Sequence, residues 1–133
     1  MAGFNSYRDL KAWQMGLDVS EAAYKLTAQF PKHETYGLSS QIQRAAVSIP
    51  ANIAEGHARE STKEFLRFLC IAQGSLAELE THLLLAQRFA YIEMEELEKM
   101  MQLTSETGKI MRGLQRSLNN RLVSSLWPLE TES

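Results

Sequence analysis

Apolar residues recur along most of the chain at intervals of three and four, the period of helices lying on a common core. The first such segment runs from about Ser6 to Phe30, with Ser6 a plausible N-cap and Asp9 an acidic first-turn residue. It carries two adjoining seams, one of Leu10, Trp13, Leu17 and Tyr24, the other of Met15, Val19, Ala22, Leu26 and Phe30. Two seams predict a wider buried face than one surface stripe needs. Pro31 ends the segment by disfavouring the helical conformation at Phe30.

The second segment, from about Ser39 to Glu55, sets Leu38, Ile42, Ala45, Ala46, Ile49 and Ile53 inward, and Gly56 can supply a left-handed C-cap. Pro50 interrupts it, removing one N–H and crowding the Ala46 carbonyl at a cost of ~3 kcal/mol. The apolar phase continues through Pro50, which predicts one helix kinked there rather than two short ones. The third segment opens on Ser61-Thr62-Lys63-Glu64, a capping box, and runs to about Phe89. Its core phase is Phe65, Phe68, Leu69, Ala72, Leu76, Leu79, Leu83 and Ala86, and Cys70 reads as a small core residue beside it. The fourth, from about Glu93 to Leu118, has an inner seam of Leu97, Met101, Thr104, Gly108, Met111, Leu114 and Leu118. Long helices with short links predict an all-α, antiparallel up-down-up-down four-helix bundle over residues 6–118. Residues 1–5 form an N-terminal tail on this reading, and residues 119–133, with the apolar Trp127-Pro128, a partly disordered C-terminal tail.

Composition narrows the function. The chain has 133 residues, one Cys and a net charge of −2, which excludes a disulfide framework, a two-thiolate site and a global basic field for nucleic acid. No apolar run approaches the ~18 residues of a membrane span, and the start has no signal-like apolar region, so a cytoplasmic protein is expected. His33 and His57 fall in loops, and Leu79 stands three before His82 where a di-iron bundle needs Glu. With no glycine-rich phosphate loop either, no catalytic, cofactor or metal site is expected.

The most distinctive polar feature is on the second segment, where Gln41, Arg44, Ser48, Asn52 and Glu55 fall in one helical stripe. A plain solvated face is the bland explanation. Short and planar hydrogen-bonding side chains bracketed by Arg and Glu favour a connected network. The third segment supplies a counterpart in Gly74, Ser75 and Glu78. Glycine is costly in mid-helix, so Gly74 is expected where a neighbouring backbone approaches closely. Antiparallel register predicts an Arg44–Glu78 ion pair, and a bend at Pro50 would aim Asn52 and Glu55 at helix three and a subunit boundary. At the other end of the chain, Lys109, Arg112, Arg116 and Arg121 read as cations pairing with a helix C-terminus, or as a rim for nucleic acid.

The block from Gln41 to Gly56, QIQRAAVSIPANIAEG, resembles the signature of the bacterial four-helix bundle family, also called the 23S rRNA intervening-sequence protein family. Leu10, Trp13, Phe30-Pro31, Glu34, Tyr36-Gly37-Leu38 and Gly74-Ser75-Leu76 with Glu78 and Leu79 extend the resemblance over roughly residues 4 to 118. It implies a homopentameric ring and no settled activity. A related branch, the accessory protein of diversity-generating retroelements, binds a reverse transcriptase and nucleic acid but is strongly basic, which this chain is not. The expectation is therefore a non-enzymatic homo-oligomeric structural or adaptor protein with a protein partner. The alternative is a nucleic-acid-associated accessory factor, which the charge disfavours.

Overall fold

The computed structural model describes residues 6–126. Helices α1 (Lys11–Thr27), α2 (Leu38–Ala58), α3 (Thr62–Arg88) and α4 (Met94–Leu126) pack in chain order, and α4 closes back on α1. The result is the antiparallel all-α bundle that the hydrophobic period predicts. The whole predicted core phase of α3 is buried, as are the six inward residues of α2.

Element ends differ from the sequence reading in ways that local chemistry explains. Ser6 caps a short 3-10 turn, Tyr7–Asp9, by accepting from the Arg8 N–H, and α1 begins only after the extended Leu10. At the other end α1 stops at Thr27, before the turn that leads to Pro31. Ser61 accepts the Glu64 N–H at 3.2 Å as a capping box requires, but Glu64 turns to Arg67 instead of reaching back. Gly56 is not the left-handed cap of α2. It lies inside the helix, where an added Cβ would stand 2.6 Å from Phe68 Cβ and only glycine fits, and Glu60, at φ 55°, reverses the chain instead. Ala90, at φ 65°, does the same after α3, where the Tyr91 N–H closes on the Ala86 carbonyl. Helix α4 continues to Leu126, so the tail expected from residue 119 is helical that far; Trp127-Pro128 lies outside the described residues. The inward period stops at Leu118, and most of the described residues that follow are exposed. Cys70 is exposed rather than in the core, one position round the helix from the fully buried Leu69.

One helix passes unbroken through Pro50. The Ala46 carbonyl that Pro50 leaves without its helical donor receives the Ser20 hydroxyl of α1 at 3.1 Å, a proton shared with Gly16 O at 2.9 Å. Gly16 lets the two helices meet there, since a Cβ on it would lie 3.0 Å from Pro50 Cβ. One turn along, the Gln43 amide donates to Thr27 Oγ1 at 3.0 Å, closing the same seam.

The loop end of the bundle is tied by Glu34. Its carboxylate accepts the Leu38 N–H at 2.9 Å, capping α2, and the Tyr91 hydroxyl at 2.7 Å, joining the α1–α2 and α3–α4 connections. Phe30 and Phe89 flank the Tyr91 ring. The Leu38 N–H, then the Tyr91 hydroxyl, hold the Glu34 carboxyl below its usual range, and the same bond raises the Tyr91 hydroxyl above its own.

Two outcomes follow from these contacts. Ser20→Ala leaves the Ala46 carbonyl without a partner and costs about 1–2 kcal/mol in chemical denaturation; with Pro50→Ala present the cost shrinks, because residue 50 regains an N–H for that carbonyl. A depressed Glu34 adds stability above its unfolded value near 4.5 that is lost as pH falls through the lower folded value. Thermal melts of Tyr91→Phe should therefore fall below wild type at neutral pH, with the gap narrowing in acid.

Candidate functional site

The polar stripe of α2 and its counterpart on α3 meet in a shallow groove of about 550 Å³, lined by Gln41, Arg44, Ala45, Ser48, Ser75 and Glu78. Its floor is the Ser48–Ser75 hydroxyl pair at 2.7 Å, with Ser48 also accepting from Asn52 Nδ2 at 2.9 Å. These bonds set the register of α2 against α3, and the network expected from the sequence is present at this level. Asn52 also donates to the Ser48 carbonyl, and Glu55 pairs with Arg59 at 3.0 Å, so both make their bonds within or just beyond α2 rather than across to α3. No bend is needed to place them. Pro50 lies on the opposite, buried side of α2, against α1.

Two expectations about α3 are corrected. Gly74 meets nothing within 4 Å of an added Cβ and is exposed, because the close approaches of this bundle fall at Gly16 and Gly56 instead. Arg44 and Glu78 line one groove without pairing; the Glu78 carboxylate stands instead 3.7 Å from His82 Nε2 on its own helix. The i,i+4 spacing on one helix brings His82 to Glu78 without any reach across to α2. His82 is mostly buried, and neither ring nitrogen has a hydrogen-bond partner.

The groove offers little for catalysis. The Ser75 hydroxyl is bonded to another hydroxyl rather than to a base, and His82 stands two turns further along α3, against Glu78. Among the described residues no cluster of three or more His, Cys, Asp or Glu is placed to hold a metal. On the other flank of α3, Thr104 donates to Glu80 at 2.7 Å, and Gln73 reaches both Gly108 O and Gln115 Oε1. These polar ties between α3 and α4 escaped the sequence reading, as did Ser20. The only local hint of Ser20 is the small pair Gly16-x-x-x-Ser20, one turn apart beside the buried seam.

The basic residues of α4 are displaced from the role the sequence suggested. Because the helix runs to Leu126, its last turn holds no cation, and Lys109, Arg112 and Arg116 lie too far inside for the helix terminus to explain them. Arg121 sits about 180° round the helix from Arg112, off their face. All are exposed.

Ser48→Ala and Ser75→Ala should each cost about 1 kcal/mol, and the double variant less than their sum, since either change alone leaves the other hydroxyl short of a partner. Arg44→Glu combined with Glu78→Arg should show no coupling in the same denaturation measurement.

Comparison with known proteins agrees with this architecture. Residues 8–113 match the family described as 23S rRNA-intervening sequence protein. The chain is similar to a crystal structure, at 1.70 Å resolution, of a protein of unknown function from the S23 ribosomal protein family of Bacteroides thetaiotaomicron. The two share 27% identity at a TM-score of 0.70, over 78% of this chain and 97% of the other. Among curated proteins none matches. No helix among the described residues is long and apolar enough to cross a membrane.

Proposed function

The chain belongs to the 23S rRNA-intervening sequence protein family, and from that premise we propose that it is a non-catalytic, self-associating bundle serving as a structural or adaptor protein. The observation that carries this reading is apolar surface left in water by a single copy. On α1 the seam of Met15, Val19, Leu26 and Phe30 is buried, whereas the seam that starts at the buried Leu10 turns outward: Trp13 is half-buried, Leu17 is 44% and Tyr24 51% exposed. Val47 of α2 extends this patch, one turn past Gln43 on the edge that faces α1. A different patch, Leu85 and Phe89, lies near the end of α3, and Ile71 stands apart from it on the same stripe, beyond the Ser75 and Glu78 that line the polar groove.

Two unlike apolar patches on one protomer favour a heterologous contact, patch to patch, which closes into a ring when the rotation permits. A ring of five is the form the family resemblance implies. Covering side chains that are about half exposed stabilises the contact by roughly 1 kcal/mol each. Rigid bundles joined this way present several identical outer surfaces, which suits holding a protein partner more than turning over a substrate.

Light scattering should give a mass of five chains, each of 15.1 kDa. Leu17→Glu and Leu85→Glu, on the two separate patches, should each reduce it to one chain with helix content unchanged. A wild-type monomer would remove this reading. Salt-sensitive retardation of RNA or DNA by a protein that stays monomeric would favour the nucleic-acid alternative instead.

A further inference from the structure

The outward face of α4 carries a pattern that neither the bundle nor the apolar patches use. Reading along one exposed stripe gives Met94, Glu98, Gln102, Ser105, Lys109, Arg116 and Val123, spaced by threes, fours and sevens. None of them forms an ion pair among the described residues, although the structure records such pairs on other helices. The acidic side chains lie in the first half of the helix. From Thr107 to Leu126 there is no acidic residue at all.

Turned end for end, the stripe matches itself. Glu98 and Arg116 stand equally far on either side of residue 107. An antiparallel copy laid on this face therefore sets Glu98 against Arg116 of its partner, twice by symmetry. Lys109 then meets Ser105 and the neighbouring Glu106, and Arg112, on the flank of the stripe, meets Gln102. At the two ends Met94 and Val123, 52% and 55% exposed, come within one helical turn of each other across the contact. Nearest the two-fold centre stand Ser105 and Lys109, with Gln102 beyond them.

We propose that the exposed face of α4 is an antiparallel two-fold contact between copies of this chain, with Glu98–Arg116 as its reciprocal ion pairs. Self-complementarity is what an isologous interface requires, residue i meeting j while j meets i. It also decides between occupants. A nucleic-acid strand running along α4 would meet the three cations and then be repelled by the glutamates, whereas a second antiparallel copy matches both halves. The contact is polar apart from its ends, so it sits outside the apolar assembly described above and responds differently to salt. The two readings therefore fail separately: one rests on apolar patches that salt does not weaken, the other on charges that salt screens.

The test is the mass of the full-length chain by sedimentation or light scattering in about 0.05 M and about 0.5 M salt. Whatever assembly persists at high salt should double at low salt. Arg116→Glu alone and Glu98→Arg alone should each abolish the doubling, weakening the association on the order of tenfold or more. The chain carrying both changes should regain it, because the two-fold axis restores both pairs. A mass independent of salt, or a double variant that stays as impaired as the single ones, would overturn the proposal. So would a wild type of constant mass that retards an RNA oligonucleotide through Arg116; that result would assign this face to nucleic acid.

Discussion

A proline in the middle of α2 is the constraint around which this bundle is arranged. Pro50 leaves the Ala46 carbonyl without its helical donor, in a helix that is packed on both sides. A buried acceptor in that position has to be met from outside the helix. Ser20 meets it from α1, and Gly16, one turn away, removes the side chain that would hold the two helices apart. The pairing locks α1 against α2 at one register. That register decides which residues of α1 face the core and which, Leu17 and Tyr24 among them, are left outside.

The remaining seams follow the same logic with different chemistry. Apolar burial drives the helices together but has no direction, so it tolerates sliding by a turn. Short polar ties do not. Gln43–Thr27 repeats the α1–α2 register, Ser48–Ser75 sets α2 on α3, and Glu80–Thr104 sets α3 on α4. Glu34 ties the two loops at one end through Leu38 and Tyr91. A bundle fixed at three of its four seams presents its outer faces in constant relation to one another, as repeated assembly of identical subunits demands.

Much of this was legible in the sequence because helical phase is a local property. The burial of Phe65 through Ala86 on α3, the inward face of α2, the Ser61 cap and the polar stripe from Gln41 to Glu55 could be read from spacing alone. What spacing does not carry is the identity of the neighbour. Gly74 looked like the close approach, yet the crowding falls at Gly16 and Gly56, which only the crossing of two helices reveals. Spacing points Glu78 at Arg44, yet the two line one groove without pairing and Glu78 lies beside His82 of its own helix. The hydrophobic period marks burial and stops at Leu118, while the helix itself continues to Leu126. That extension changes what the basic residues mean, taking them from the helix terminus to the middle of an exposed face.

The most direct measurement of the Pro50 constraint is residue-level amide hydrogen exchange across α2, in wild type and in Ser20→Ala. If the α1 hydroxyl is what allows one helix to run through Pro50, the amides on either side of it should be as protected in wild type as the rest of α2. In Ser20→Ala protection should fall in the turn around Ala46 to Pro50, while α3 keeps its own. Equal protection of that turn in both proteins would contradict the central role of this contact, and would mean that packing alone carries α2 past its proline.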